Sequence, residues 1–387
     1  MATFRLLALL AAFLPVTAFA LPSLPASNNP PDEVADIPVV MLVDIGSGRV
    51  LFARQPDLSF VPASVTKVMT AFVAFEEMRA GRLSADQTFT VREKTAQVWK
   101  GRGTSMYLRP GDKPTVHQLL RGIMTASAND ASIVLAEGFA GSVPAFTYLM
   151  NDTARKLGMT KSRFNTPNGW PDRQKTYVSA RDLVSLGSAM VHRYPDYYAT
   201  YSGKHEFDWN GYKLYSHDPI TGEVPGADGI KTGFTREAGY NFLGSAERGG
   251  RRLMMVLAGA KSGMQRRKAA RKLIEWGFSQ WSARPLFASG SRVGTARVQG
   301  GAQRSVGLTL DRPVYATFAP GRGERIAMRI AYEGPLEAPL AKGAHVADLI
   351  LATGNAEASR IPLLATRAVA PAGPVHRLRN GLMNLWH

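Results

Sequence analysis

Apolar residues form two kinds of segment in the first part of the chain. Short apolar runs at 39–44 and 50–53 flank Gly46-Ser47-Gly48, and this arrangement predicts a β-hairpin. From residue 65 to residue 78, apolar side chains cover nearly the whole circumference of a helix, which is typical of a helix buried in a core. We therefore predict a hairpin followed by a central helix.

The middle of the chain alternates between helical and strand-like patterns. Residues 116–139 predict two helices separated by Ser127-Ala128-Asn129-Asp130. Residues 207–215 alternate about Asn210-Gly211 and predict a second hairpin, because this dipeptide favours a tight turn with positive φ. The other predicted elements are helices at 145–157, 180–191 and 265–277 and strands at 229–234, 241–246 and 253–258.

The composition changes after residue 278. Between residues 285 and 366, short β-like runs alternate with glycine and proline, which predicts a small all-β domain. Residues 370–374 have the composition of a linker, and residues 375–387 place apolar side chains on one helical face. This tail is expected either to lie in a membrane surface or to form a frayed or docked helix, and the sequence leaves both open.

The N-terminus has the three parts of a secretory signal peptide. A basic start ending at Arg5 precedes an apolar core at 6–14, and Ala18-Phe19-Ala20 has the small-x-small form of a cleavage site. The apolar core is too short for a stable membrane span. We expect an exported, periplasmic protein, with the C-terminal tail as the candidate for contact with the inner membrane.

Composition narrows the class of protein. The chain has 387 residues, enough for about two domains, and a formal net charge of +17. Such a surface attracts anions, but no nucleic-acid-binding signature occurs, so we expect no nucleic-acid partner. There is no cysteine, and the seven histidines form no paired ligand motif. We therefore expect no thiol nucleophile, no metal and no other cofactor.

Three short motifs occur in a fixed order on these elements. Ser64-Val65-Thr66-Lys67 opens the buried helix, Ser127-Ala128-Asn129 lies between two helices, and Lys231-Thr232-Gly233 lies on a strand. Each motif alone is a weak signal, since Ser27-Asn28-Asn29 also matches the second one by chance. The order and structural setting of all three carry the information.

The chemistry of a serine nucleophile explains the first motif. A spacing of three puts Ser64 and Lys67 on the same side of a helix. A serine hydroxyl needs a base, and an amine can serve when burial and a second ammonium group lower its pKa. Lys231 would supply that second charge. Taken alone, Lys67 would be interpreted as a lysine that extends to solvent from a helix end.

The other motif residues have structural alternatives. Ser127 can relay a proton to a leaving amine and Asn129 can hold a substrate amide, but such a polar cluster is also typical of a helix cap. Lys231 and Thr232 would equally suit a solvated strand face. Gly233 would let a substrate backbone approach the strand closely.

With Pro62-Ala63 before the first motif and Asn129-Asp130-Ala131 at the second, the chain resembles the serine D-Ala-D-Ala carboxypeptidases, which are low-molecular-mass penicillin-binding proteins. The resemblance implies an α+β fold, with an antiparallel sheet flanked by helices and an all-α lobe, followed by a small all-β domain. Together with the signal-peptide and composition patterns, the expected segments are a signal peptide over 1–20, a catalytic domain over 21–283, a β-rich domain over 284–368, and a linker and tail over 369–387.

The resemblance also implies an activity. The substrates would be peptidoglycan stem peptides ending in D-Ala-D-Ala, and β-lactam antibiotics would be covalent inhibitors. Ser64 would be the nucleophile and Lys67 its base, with Ser127 and Asn129 as the second element of the site.

The substrate's terminal carboxylate would meet the third motif. The resemblance assigns this role to Lys231 and Thr232, and Arg266 matches a further arginine of the family, although a plain surface residue is the alternative. The oxyanion hole would be the backbone N–H groups of Ser64 and Phe234. Two positions depart from the family pattern, because Phe234 stands where relatives commonly carry histidine and Ser216 where some carry arginine.

Three other functions stay open at this point. A serine β-lactamase would need a water held by a glutamate, and Glu206 and Asn210 have a suitable spacing but run into the predicted hairpin turn. A DD-endopeptidase would use the same residues on cross-linked peptides. A non-catalytic wall-binding protein would have lost the activity, although every motif residue is present.

Overall fold

The computed structural model describes residues 29–319 and 324–373. The predicted signal peptide and C-terminal tail therefore lie outside the described residues.

The first domain is built on a five-stranded antiparallel sheet. The strands of this domain are β1 (Val39–Asp44), β2 (Arg49–Arg54), β3 (Glu206–Trp209), β4 (Tyr212–Tyr215), β5 (Ala227–Thr235), β6 (Gly239–Arg248) and β7 (Arg251–Ala260). The sheet has the order β2-β1-β7-β6-β5, and β3 and β4 form a separate hairpin. Both predicted hairpins and all three predicted strands are thus present, and β5, which carries the third motif, is an edge strand.

Eight helices surround this sheet in the described part of the chain. They are α1 (Lys67–Arg79), α2 (Glu93–Trp99), α3 (Val116–Met124), α4 (Asn129–Ala140), α5 (Val143–Lys156), α6 (Ala180–Arg193), α7 (Pro195–Tyr201) and α8 (Gly263–Gln280). The predicted division of 116–139 into two helices is confirmed. The short helices α2 and α7 were not predicted.

The sheet separates two hydrophobic cores because successive side chains of a strand point to opposite faces. On β1, Met41 and Val43 belong to the core that contains α1 and the helical lobe. Val40 and Leu42 belong to the core on the other face, together with α8. Helix α1 is buried on nearly every side, as its apolar circumference predicts.

The second domain is all-β and has its own core. Its strands are β8 (Ser282–Phe287), β9 (Arg292–Gln299), β10 (Ser305–Thr309), β11 (Val314–Phe318), β12 (Ile326–Ala331), β13 (Leu336–Glu337), β14 (His345–Thr353) and β15 (Ser359–Ala365). One sheet has the order β12-β14-β15-β10-β9-β13, and β8 pairs with β11. The predicted fold class, α+β followed by a small all-β domain, is confirmed.

Buried polar contacts join the two domains at the β1–β2 hairpin. Asp44 accepts hydrogen bonds from Arg251 Nε at 2.7 Å and from Thr317 Oγ1 of the second domain at 2.8 Å. Arg49 forms a buried ion pair of 2.6 Å with Glu324 of the second domain. The predicted β1–β2 hairpin is therefore also the docking point of the β domain.

The end of the described chain remains on the β domain. Val369 pairs with Leu340, and the Ala372 amide donates to the Gly300 carbonyl at 2.7 Å. The stretch expected to begin a linker at 369 is thus hydrogen-bonded to the domain as far as Ala372. No single helix among the described residues is long and apolar enough to cross a membrane, although the bent pair of α4 and α5 would be by length and composition.

Candidate active site

The three motifs meet at a cleft of about 360 Å³ between the helical lobe and the edge of the sheet. The predicted site residues that line this cleft are Ser64, Ser127, Asn129, Thr232, Gly233, Phe234 and Arg266. Lys67 and Lys231 are buried next to them, with 0% and 3% exposure. The structure thus brings together every residue that the sequence predicted for the site.

A tight turn presents Ser64 to the cleft. Ala63–Thr66 form a single 3-10 turn, and α1 begins only at Lys67. Ala63 has φ of 50°, in the left-handed region that a residue with a Cβ seldom adopts. The serine therefore lies on a short turn before the helix, whereas the sequence placed it at the helix start.

The Lys67 amine is the centre of the polar network. Its Nζ lies 2.8 Å from Ser64 Oγ, 2.8 Å from Asn129 Oδ1 and 2.7 Å from the Asn168 carbonyl oxygen. Burial lowers the pKa of Lys67 well below its usual value, and the positive charge of Lys231 lowers it further, against an opposing attraction from Asp130. The neutral amine, which a general base requires, is thereby favoured next to the hydroxyl.

The second motif turns the chain sharply between α3 and α4. Ser127 has φ of 61°, and its carbonyl accepts a hydrogen bond of 2.6 Å from Thr104 Oγ1. The Asn129 amide donates to the Thr104 carbonyl at 2.8 Å, and Asn129 Nδ2 donates to the Arg102 carbonyl at 2.9 Å. Residues 102–104 thus fix the Asn129 side chain so that its oxygen faces Lys67.

Asp130 holds the neighbouring loop rather than capping α4. Its carboxylate accepts hydrogen bonds from Ser105 Oγ at 2.6 Å and from the backbone amides of Met106 at 2.9 Å and Leu108 at 3.1 Å. The N-cap position of α4 is Ala128 and has no side-chain cap. The polar cluster at 127–130 is therefore not explained by helix capping.

Edge strand β5 forms the opposite wall and carries Lys231. Its pKa is lowered to about 7 by burial and by the positive charge of Arg266, while Asp218 opposes the shift. The Lys231 ammonium donates one hydrogen bond of 3.2 Å to the Thr232 carbonyl. It forms no ion pair within the described residues.

The glycine of the third motif serves the packing of the protein itself. A Cβ at Gly233 would lie 2.5 Å from the Pro62 carbonyl oxygen and 3.1 Å from the Ser64 amide nitrogen. The space that the sequence assigned to an approaching substrate is thus taken up by the turn before Ser64. Asn241 of β6 also holds the segment before Ser64, since its Nδ2 donates a hydrogen bond to the Val61 carbonyl at 2.9 Å.

Arg266 lies in the cleft and not on the outer surface of α8. It is 9% exposed and lies over the Tyr240 ring, with 5.6 Å between the guanidinium carbon and the ring centroid. Phe234 is 50% exposed and stacks on the same tyrosine, with 4.2 Å between ring centroids. Tyr240 was not among the site residues predicted from the sequence.

Other residues of the site were not predicted from the sequence. Asn168 supplies the carbonyl next to Lys67, and a Cβ at the following Gly169 would lie 1.8 Å from the Ala63 carbonyl oxygen. Trp170 and His217 also line the cleft. Asn168-Gly169 is a turn signal in the sequence, but nothing in its local pattern relates it to Lys67.

Comparisons with known proteins agree with this arrangement. A family model described as D-alanyl-D-alanine carboxypeptidase matches residues 26–262. The chain belongs to this family. A second model, described as the C-terminal domain of penicillin-binding protein 5, matches residues 281–371.

Individual relatives match along most of their length. D-alanyl-D-alanine carboxypeptidase DacD of Salmonella typhimurium is 32% identical, over 95% of this chain and 96% of the relative. DacA of Escherichia coli is 34% identical, over 78% of this chain and 76% of the relative.

Two solved structures show the same fold. Penicillin-binding protein 5 from Haemophilus influenzae has a TM-score of 0.70 and 29% identity, and the match covers 86% of this chain and 97% of that one. Penicillin-binding protein D2 from Listeria monocytogenes in the ampicillin-bound form has a TM-score of 0.57 and 31% identity, and the match covers 63% and 97% of the two chains.

Proposed function

We propose that this chain is a serine D-Ala-D-Ala carboxypeptidase that removes the terminal D-alanine from peptidoglycan pentapeptides through an acyl-enzyme on Ser64. The observation that carries the proposal is the fully buried Lys67 amine, 2.8 Å from the Ser64 hydroxyl and with a lowered pKa. A buried amine in contact with one hydroxyl is suited to general-base activation of that hydroxyl.

Acylation proceeds by attack on the carbonyl of the penultimate D-alanine. Neutral Lys67 takes the proton of the Ser64 hydroxyl, and Ser64 Oγ forms the new bond to the carbonyl carbon. The backbone N–H groups of Ser64 and Phe234 stabilise the negative charge on the carbonyl oxygen. The C–N bond breaks as Ser127 passes a proton to the departing amine, and water then hydrolyses the ester.

Two buried cations provide a site for the substrate's terminal carboxylate. Lys231 and Arg266 are 3% and 9% exposed, and neither forms an ion pair within the described part of the chain. Isolated buried charges are costly unless a partner compensates them. A carboxylate bound by these side chains and by Thr232 would supply the compensation, so we expect the cleft to favour a peptide with a free C-terminus.

A β-lactam would acylate the same serine, because its strained amide and carboxylate resemble the D-Ala-D-Ala terminus. Two experiments test the proposal together. Purified mature protein is expected to release D-alanine from a pentapeptide, and mass spectrometry is expected to find penicillin attached to the peptide that contains Ser64. Absence of D-alanine release would refute the proposal, as would penicillin attached elsewhere.

A β-lactamase and a DD-endopeptidase would differ from the proposed enzyme in measurable ways. Glu206, the candidate water-holding residue of a β-lactamase, lies exposed on the β3–β4 hairpin, 3.8 Å from Lys213, and is not in the cleft. We therefore expect slow release of bound penicillin. Cleavage of cross-linked muropeptides faster than of pentapeptides would instead indicate an endopeptidase.

The pH profile should show the titration of Lys231. Its pKa of about 7 in the free protein means that its charge is lost as the pH rises through this value. We therefore expect kcat/KM, which reports on the free enzyme, to fall above about pH 7. A bound carboxylate favours the charged lysine, so kcat should fall only at higher pH. Measurement of both profiles with one pentapeptide tests this, and coincident descending limbs would exclude Lys231 as the titrating group.

An exported, periplasmic location fits an enzyme that acts on the cell wall, and it is part of the proposal. The segments expected to direct export and to contact the inner membrane, 1–20 and the tail from residue 374, lie outside the described residues.

A further inference from the structure

The guanidinium of Arg266 lacks the partners that usually hold a buried arginine. Its Nε is buried without a hydrogen-bond partner, and its Nη1 makes only a long contact of 3.4 Å with the Asn241 carbonyl. Burial lowers the pKa of Arg266, and the largest opposing attraction comes from the charge of Asp218, with which it forms no ion pair among the described residues. Hydrogen bonds therefore do not explain why this side chain stays in the cleft.

The aromatic ring of Tyr240 supplies the missing contact. Tyr240 on β6 lies directly opposite Phe234 on β5, and the two rings stack at an interplanar angle of 29°. The first turn of α8 packs against the same ring, because a Cβ at Gly263 would lie 3.5 Å from Tyr240 Cε1. The ring therefore lies where β5, β6 and α8 meet, and Arg266 lies over it.

We propose that Tyr240 is a positioning residue, held by its stack on Phe234, whose ring keeps the Arg266 guanidinium directed to the carboxylate end of the cleft. An aromatic face attracts a guanidinium without neutralising its charge. Arg266 is thus held in place with its hydrogen-bond donors available to an anion. An acidic partner in the same place would hold the arginine equally well but would compete with the substrate.

Loss of the Tyr240 ring is expected to affect substrate binding more than the chemical step. Without the ring, Arg266 is free to turn to solvent or to Asp218, which already attracts it. The terminal carboxylate would then lose one of its cationic partners, whereas Ser64 and Lys67 would keep their contact. This inference rests on the proposed function, since it assigns the carboxylate to the Arg266 end of the cleft.

The test compares Tyr240→Leu, Tyr240→Phe, Arg266→Gln and the double variant Tyr240→Leu/Arg266→Gln in pentapeptide cleavage. Tyr240→Leu is expected to raise KM about fivefold with little change in kcat. Tyr240→Phe, which keeps the ring, should restore most of the wild-type KM. If Tyr240 acts through Arg266, the double variant should be no worse than Arg266→Gln alone. Tyr148→Leu, at an exposed tyrosine of α5, is the control for loss of a tyrosine as such.

Each outcome has one meaning. Multiplying effects in the double variant, or a Tyr240→Phe variant as poor as Tyr240→Leu, would overturn the positioning role. A kcat loss without a KM change would also overturn it, because the ring would then act on the chemical step. A wild-type protein that releases no D-alanine would instead refute the proposed function itself, and the comparison separates these two failures.

Discussion

Replacement of Ser64 by alanine is expected to abolish both D-alanine release and covalent labelling by penicillin. The hydroxyl oxygen forms the bond to the substrate carbonyl, and no other hydroxyl in the site has an amine at 2.8 Å among the described residues. Loss of a catalytic serine in a serine hydrolase typically costs about six orders of magnitude in kcat. The measurement is D-alanine release together with fluorescent penicillin detected on a denaturing gel.

The Ser64→Ala protein should remain folded, which makes the comparison interpretable. Lys67 keeps its contacts with Asn129 Oδ1 and the Asn168 carbonyl when the serine hydroxyl is removed. We therefore expect a thermal midpoint within a few degrees of the wild type and reversible binding of penicillin in the cleft. Equal covalent labelling of the variant and the wild type would show that another residue is the nucleophile.

The chemistry of the site could be predicted because it depends on short-range patterns. Ser64 and Lys67 are three residues apart, and the same spacing places their side chains 2.8 Å apart in the structure. The apolar circumference of 65–78 predicts burial of the helix, and Lys67 is fully buried. The sequence therefore indicated both Lys67 as the partner of the nucleophile and burial as the physical cause of the lowered Lys67 pKa.

The contacts that hold the site residues in place could not be predicted because they join residues that are far apart in the chain. Asn168 meets Lys67 across 101 positions, and Asn241 meets Val61 across 180. A backbone carbonyl acts here without regard to side-chain type, so residue patterns carry no signal for it. Gly233 was predicted to make room for the substrate backbone, whereas in the structure it accommodates the turn that presents Ser64.

Helices α2 and α7 were not predicted because they are too short. Helices α2 and α7 have seven residues each, with two buried residues in each one. Such short segments have too few apolar positions to show a 3.6-residue period, and tertiary packing decides their structure. The longer helices α3 and α6 bury whole faces, and their periodicity was correspondingly clear.

Replacement of Lys67 by methionine should slow acylation of Ser64 by about a thousandfold, the contribution typical of a positioned general base. Methionine is unbranched and apolar and nearly as long as lysine, but it cannot accept the serine proton. Loss of the base should also remove the low-pH limb of the acylation profile, because a protonated Lys67 cannot take the serine proton. Stopped-flow acylation by a chromogenic β-lactam between pH 5 and 10 measures both effects.

The Lys67→Met variant must be separated from simple unfolding, because Asn129 Oδ1 and the Asn168 carbonyl lose a buried donor. The removed amine was itself costly to bury, so the two effects on the free energy of unfolding oppose each other. Lys94→Met, at an exposed lysine of α2, is the control for loss of a lysine elsewhere. A folded Lys67→Met protein that acylates at the wild-type rate, with the wild-type dependence on pH, would show that the Ser64 proton leaves by another route. Lys67 would then serve only to organise Asn129 and the 168–170 turn.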